Sequence, residues 1–367
     1  MMKYYIEEVD PAEWRNVATS KARVDIFNIL DSLGYEKITV GCKELSGDYS
    51  GVKRKAKELA YIMNNTKVWK QATSHLKAGD VLVVQYPPHF WLRLRSILVG
   101  LRKRGVRLVA VVHDMDSIRW NNRNKVFKNY FSIEDRFALP FFNKIIIHNS
   151  YMKDLMKAIG YKPNKLVSLG VFDYLWEKDD NAIPAEERIH KDAPVVIAGN
   201  LSPGKATYLY NFDHNVGTHF NLYGIYIEED KIKNLDYTYK GVGDADKLPE
   251  ILEGSYGLVW DGTDIDMCRG EYGEYLKVNN PHKFSLYLAS CLPIIIWKQA
   301  ALADVVEKYN LGFTINSLDD IAVKRKNITE AQYNQMVENI KRFSKKVSSG
   351  YFMKRAMDIV EGKRRIR

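Results

Sequence analysis

Three short stretches carry residue types that can act on hydroxyls and phosphates. In VVHDMDSIR, residues 111–119, His113, Asp114 and Asp116 follow the apolar run RLVAVV at 107–112. A carboxylate or imidazole at the end of a buried strand can accept a proton from a substrate hydroxyl. Asp114 is the first candidate for that base and His113 the second, while Asp116 is placed to pair with Arg119. In VVIAGNLSPGK, residues 195–205, an apolar strand ends in Gly199-Asn200, and Lys205 is expected near the start of a helix. Backbone N–H groups at a helix N-terminus attract phosphate, and a lysine adds a point charge. The spacing is not that of a Walker loop, and a turn glycine after a strand is more often structural than functional. The third stretch, YLKVNNPHKFSLYLASCLPIIIW at 275–297, leads from a loop bearing Lys277, Asn279, Asn280 and His282 through Pro281 into a helix, with Lys283 in its first turn. A pyrophosphate can lie against that N-terminus, neutralised by Lys283 and Lys277.

Elements that could position these residues alternate along the chain. Strand-like runs occur at 3–9, 37–40, 81–85, 107–112 and 144–147, with helical patterns at 20–33 and 90–103. After a polar, proline-bearing stretch at 177–192, strands resume at 194–198, 220–225, 257–260 and 293–297. Helices are expected at 281–290 and 300–309, and a long helical tail from Thr329. Short apolar strands separated by helices indicate parallel βαβ units. The expected fold is therefore α/β with two Rossmann-like domains, at 1–180 and 190–340, facing a central cleft. Residues 341–367 form a C-terminal helix expected to pack back toward the first domain. Ligands bind at the carboxyl ends of such strands.

The 367 residues suit two cores, and 46% apolar content excludes a disordered chain. Cys42, Cys268 and Cys291 fit no metal or disulfide spacing, which favours a reducing compartment. The N-terminus lacks the pattern of a signal peptide, and no apolar run approaches the 18 or so residues of a membrane span. A cytoplasmic protein is expected. The net charge of +10 is clumped at 53–57, along 93–107 and at 363–367. Such clumps suit anionic surfaces or phosphate-bearing substrates, and no nucleic-acid motif accompanies them. The stretch PPHFWLRLRSILVGLRKRG at 87–105 mixes Phe90, Trp91, Leu94, Leu98 and Leu101 with basic residues. It reads either as a helix lying on the inner face of an anionic membrane or as one packed on a sheet with a solvated basic edge.

The run from Asn279 to Ile296 resembles the nucleotide-binding segment of GT-B glycosyltransferases. More narrowly, YLKVNNPHKFSLYLA is similar to the bacterial β-1,6-galactofuranosyltransferase family, itself related to glucosyltransferases that extend GlcNAc on serine-rich adhesins. The motifs VHDMDSIR, IIIHNSYMKDLMKAIGY, GVFDYL, AGNLS, LYG and GLVWDG agree in order, so the resemblance covers nearly the whole chain. Leu286 stands where many GT-B enzymes carry a ribose-binding glutamate, and Cys291 where they carry glycine. The resemblance implies a GT-B fold and inverting, metal-independent transfer of a hexose, galactofuranose first, from a UDP-sugar to a glycan acceptor in surface polysaccharide synthesis, a lipid-linked one among those expected. It implies a donor site at Asn200, Lys205, Tyr223, Lys277, Asn280, His282 and Lys283. Thr19, Ser20, Lys21, Asp116 and Arg119 then fall on the acceptor side. No cofactor is expected, the UDP-sugar being a substrate, and no metal: the DxD matches Asp114-Met-Asp116 and Asp264-Ile-Asp266 are of a kind common by chance. A UDP-glucose-dependent enzyme acting on a GlcNAc-modified protein, or a non-catalytic partner of a transferase, is the alternative. A homo-oligomer is compatible with the sequence.

Overall fold

The computed structural model describes the chain except for residues 10–17, 42–50, 91, 120–134, 180–181 and 365–367, and the side chains of 18–20 and 51–52. The chain divides into two compact units. The first comprises Met1–Arg15, Ile26–Leu169 and Lys354–Arg367; the second comprises Asn16–Asp25 and Gly170–Met353. The division falls at Leu169, ahead of the polar stretch at 177–192, which lies inside the second unit.

In the first unit, β1 (Lys3–Val9), β2 (Glu36–Gly41), β3 (Val81–Tyr86), β4 (Arg107–Val112), β5 (Lys144–Ile147) and β6 (Leu166–Ser168) form one sheet. Their order is β2-β1-β3-β4-β5-β6, and every pairing is parallel. All six residues of β3 are buried, as are Leu108 to Val112 of β4, as strands covered on both faces must be. The helix expected at 90–103 begins only at Leu94 and runs to Lys103, burying Leu94, Ile97, Leu98 and Leu101. Its apolar stripe is therefore taken up by the core of its own unit, and Phe90 is buried outside the helix. The basic residues around it act as local ties. Arg104 donates to the carbonyls of Thr73 and Ser74, Arg102 to that of Phe141, and the Arg95 guanidinium lies over the Phe141 ring. Trp91 lies outside the described residues.

The tail is two helices, Glu330–Ser348 and Tyr351–Val360, not one. Thr329 and Gln332 form a capping box at the start of the first. Gly350, at φ +72°, takes the left-handed conformation that separates them. Beyond the second helix, Glu361 returns to the first sheet and accepts hydrogen bonds from Lys3 Nζ at 2.6 Å and Tyr35 Oη at 2.9 Å. Lys363 Nζ lies 2.6 Å from its other oxygen. Burial opposes ionisation, but Lys3, Lys363 and Tyr35 hold the carboxyl down at about 2. A depressed folded-state pKa stabilises above the unfolded value and loses that stabilisation as pH falls through the folded value. Glu361→Gln is thus expected to cost about 1.5–3 kcal/mol at neutral pH, the scale of hydrogen bonds to a charged group. The difference from wild type should shrink as pH drops from about 4.5 toward 2. Denaturant melts at pH 7 and pH 3 check this; an equal loss at both would remove the ionised carboxylate as its cause.

In the second unit, β7 (Val195–Asn200), β8 (Phe220–Ile225), β9 (Tyr237–Tyr239), β10 (Tyr256–Val259), β11 (Ile294–Trp297) and β12 (Gly312–Ile315) form a second parallel sheet. Its order, β12-β11-β10-β7-β8-β9, reverses between β7 and β10. Such a reversal opens a crevice beyond the carboxyl ends of the two strands. The helix His282–Ala289 lies across β10 by way of Tyr287, whose hydroxyl accepts from Ala198 N at 2.9 Å and donates to Leu258 O at 3.2 Å. That approach requires Gly257: a Cβ there would stand 2.2 Å from the Tyr287 ring. Among the described residues, no helix is long and apolar enough to cross a membrane.

Candidate active site

The second unit places Lys283 at its switch point. Lys283 Nζ donates to Trp260 O at 3.1 Å and Asp261 Oδ1 at 2.9 Å, immediately beyond β10. The two side chains are 14% and 9% exposed, so this is a mostly buried ion pair at the mouth of the crevice. The following turn is tight. Gly262 has φ +110°, and a Cβ on it would meet Arg269 O at 2.1 Å. At the end of neighbouring β7, the Asn200 side chain accepts from Ser202 N at 2.9 Å and turns the chain. The helix expected near Lys205 is only a four-residue 3-10 turn, Thr207–Tyr210. Lys205 therefore has no helix dipole behind it, and its ammonium lies 5.6 Å from the Tyr272 ring.

The other expected donor residues are used in part within the unit. Asn280 Nδ2 donates to Gly170 O at 3.1 Å, and Ser285 Oγ to Phe172 O at 2.7 Å. The His282 ring stacks on Tyr174 with centroids 5.0 Å apart. The motif GVFDYL at 170–175 is thus a strap held along the start of the helix that carries Lys283. Asp173 in the strap accepts from Phe352 N and Met353 N, capping the Tyr351–Val360 helix. Burial, with Lys21 nearby, pushes the His282 imidazole down to about 4, so it is neutral at ordinary pH. Lys277 bonds Glu274 at 2.6 Å, and the Tyr223 hydroxyl contacts the loop at 251–253.

Lys21, expected on the acceptor side, is buried in an ion cluster. Its Nζ lies 2.6 Å from Asp25 and 2.7 Å from Asp246, and it donates to Leu175 O. It also sits over the Tyr174 ring at 5.1 Å. Asp25 accepts from Leu175 N, and burial pushes its carboxyl up to about 6 against the pull of Lys21. The side chains of Thr19 and Ser20 lie outside the described residues.

In the first unit, His113 and Asp114 emerge half-buried beyond β4. The His113 Nε2 pairs with the Gln85 side chain at the end of β3. Arg119, expected as a partner for Asp116, reaches Asp114 Oδ2 at 2.8 Å. Below them, His148 bonds Val112 O and is pushed down to about 4 by burial, hence neutral. Asp116 opens the short helix Asp116–Arg119. Asp135, which the sequence reading overlooked, accepts from Ser117 N at 2.9 Å and from the Tyr86 hydroxyl. It anchors the loop that carries Asp114, and burial raises its carboxyl. Asp261 was overlooked too, although it follows the apolar run GLVW just as Asp114 follows VAVVH.

Comparison with known proteins adds a separate line. Residues 3–171 match the N-terminal domain, and residues 195–360 the C-terminal domain, of the glucosyltransferase 3-like family. A β-1,6-galactofuranosyltransferase, WbbI of Escherichia coli K12, is 32% identical over 352 residues, covering 94% of this chain and 95% of that protein. A sucrose-phosphate synthase from Thermosynechococcus elongatus superposes with a TM-score of 0.62 at 11% identity, covering 99% and 98% of the two chains. An α-glucosyltransferase in complex with UDP and DNA superposes with a TM-score of 0.58 at 14% identity, over 98% and 99%. These structural likenesses show the GT-B fold.

Proposed function

Since the chain belongs to the glucosyltransferase 3-like family and is a glycosyltransferase, we propose that it moves a hexose, galactofuranose first, from a UDP-sugar to a glycan acceptor. The observation that carries the donor side is the Lys283 ammonium at the switch point of the second sheet. It is nearly dry, it stands at the start of an eight-residue helix, and Asp261 holds it in place. A diphosphate arriving there meets a positive charge and the N-terminal backbone of that helix. In the reaction, the acceptor oxygen bonds the anomeric carbon while the bond to the UDP oxygen breaks. The acceptor proton passes to Asp114, and Lys283 stabilises the charge on the departing diphosphate. Asp116 and Arg119 remain on the acceptor side, as do Thr19 and Ser20, while Lys21 is engaged by Asp25 and Asp246.

The galactofuranosyl reading is supported by the 32% identity to WbbI across 94% of the chain. A panel of UDP-sugars read by UDP release tests it, with UDP-galactofuranose expected to turn over fastest on a glycan acceptor. Preference for UDP-glucose and a GlcNAc-bearing glycopeptide would favour the second reading, which the family's description supports. No turnover of any donor, with UDP still bound, would point to a non-catalytic partner. Turnover is expected to survive saturating EDTA, because Lys283, the other basic residues of the donor site and the helix N-terminus can stabilise the leaving diphosphate without a metal. Loss in EDTA with recovery on Mn²⁺ alone would overturn that electrostatic account. A polysaccharide acceptor on a lipid carrier would bring the enzyme to the inner membrane face, consistent with its +10 charge.

A further inference from the structure

The helix first suspected of meeting a membrane has its apolar stripe in the core, but another helix leaves one in solvent. Gly51–Ala72 is a 22-residue helix of the first unit. Its second half is seated through Asn65, Thr66 and Trp69, the last of these 1% exposed. From Lys53 to Asn64, no residue is buried. Ala56, Leu59, Ala60 and Met63 fall at i, i+3, i+4 and i+7, so they form one stripe. At about 100° per residue, that stripe is rotated roughly 130° from the face that Trp69 buries. Leu59 is 52% exposed and Met63 47%. Core packing among the described residues does not account for these two side chains.

Charge surrounds the stripe. Lys53 and Lys57 flank one side and Lys55 the other, while Lys67 and Lys70 extend its line toward the C-terminus. The helix carries six basic residues and one acidic residue, Glu58, which Arg54 already pairs at 2.9 Å. A shallow open surface along the second half is lined by Met63, Lys67 and Lys70 among others, so the apolar stripe continues between these two lysines. A second copy of this face would set these lysines against one another. Nucleic acid would leave the apolar stripe unused. An anionic bilayer satisfies both features, since a helix lying in the interface buries its apolar stripe while lysines reach up to the headgroups.

We propose that the Gly51–Ala72 helix docks the enzyme on an anionic lipid surface, with Leu59 and Met63 inserted and the surrounding lysines on the headgroups. This rests on the reading of a lipid-carried acceptor and deepens it, and none of the residues it names is used in the proposed reaction. The test uses the full chain with sedimented vesicles of phosphatidylglycerol and phosphatidylcholine against phosphatidylcholine alone. Wild type is expected to bind the anionic vesicles and to release as salt rises. Leu59→Ser with Met63→Ser should weaken that binding at least tenfold, leaving far-UV circular dichroism and turnover on a soluble acceptor unchanged. Gln at Lys53, Lys55 and Lys57 should weaken it by roughly a hundredfold, about fivefold per charge. Arg95→Gln with Lys103→Gln, on the packed helix, should bind as wild type does. A Met63→Trp variant should shift its emission to the blue on anionic vesicles only. Equal binding by the Leu59/Met63 variant, or no anionic binding by wild type, overturns the proposal. So does a fall in molecular mass for that variant in sedimentation velocity, which would make the face an interface between copies. Because soluble-acceptor turnover is read separately, failure here leaves the assignment of the reaction standing.

Discussion

Replacing Lys283 by alanine is expected to weaken UDP binding by about 1.5–3 kcal/mol, roughly ten- to 150-fold. The ammonium sits in a mostly buried pair with Asp261, so the phosphate it meets exchanges charge in a low-dielectric setting. The same geometry creates a competing effect. Alanine leaves Asp261, itself 6% exposed, without its cation, and an uncompensated buried charge can cost about 3 kcal/mol of stability or more. Weak UDP binding could then report a loosened crevice instead of a lost contact. A second variant separates the two. Lys283→Ala combined with Asp261→Asn removes the stranded charge and should recover most of the lost melting temperature. If Lys283 contacts the diphosphate, the double variant still binds UDP weakly. Calorimetry showing that UDP affinity returns with stability would make Lys283 a structural partner of Asp261 and no more.

What the sequence discloses here follows from how local each signal is. The apolar runs of β3, β4, β10 and β11 are buried on both faces and could be read directly, together with the polar residues that emerge beyond them. Lys283 was legible for the same reason, since the proline that precedes it announces a helix start. β6 and β9 are three residues each, too short to show a period, and β12, GFTI, lacks the continuous apolar run that marks β11. The roles of Asn280 and His282 were hidden because their partners, Gly170 and Tyr174, lie more than a hundred residues away. Their polar types suggest a ligand, and the fold also uses them to hold a strap. Lys21 and Asp25 form an i,i+4 pair, a spacing a helix makes visible. Burial beside Leu175 turns that ordinary pair into a closed cluster, and nothing local signals it. The basic helix at 94–103 left two readings open for a related reason: its pattern is amphipathic whether the apolar face meets lipid or a sheet.

Asp114→Asn is expected to lower turnover by about 10² to 10⁴ while leaving UDP affinity nearly intact. The side chain stands beyond β4, a strand buried from Leu108 to Val112, on a loop that Asp135 anchors through Ser117 N. Asparagine keeps the shape and can still lie near Arg119, so the substitution removes proton-accepting capacity with little change in packing. UDP affinity is the control, because the proposed diphosphate contacts all come from residues of the second unit. His113→Ala tests the competitor. Its imidazole pairs with Gln85, so His113 is oriented too, and only the true base should show a rate defect with unchanged donor binding. If Asp114→Asn turns over normally and His113→Ala is inactive, the histidine takes the proton. Should both variants remain active, Asp25 is a poor successor: it is 1% exposed and already engaged by Lys21 and Leu175. Asp116, half-buried at the start of the next helix and two residues from Asp114, is then the carboxylate to remove.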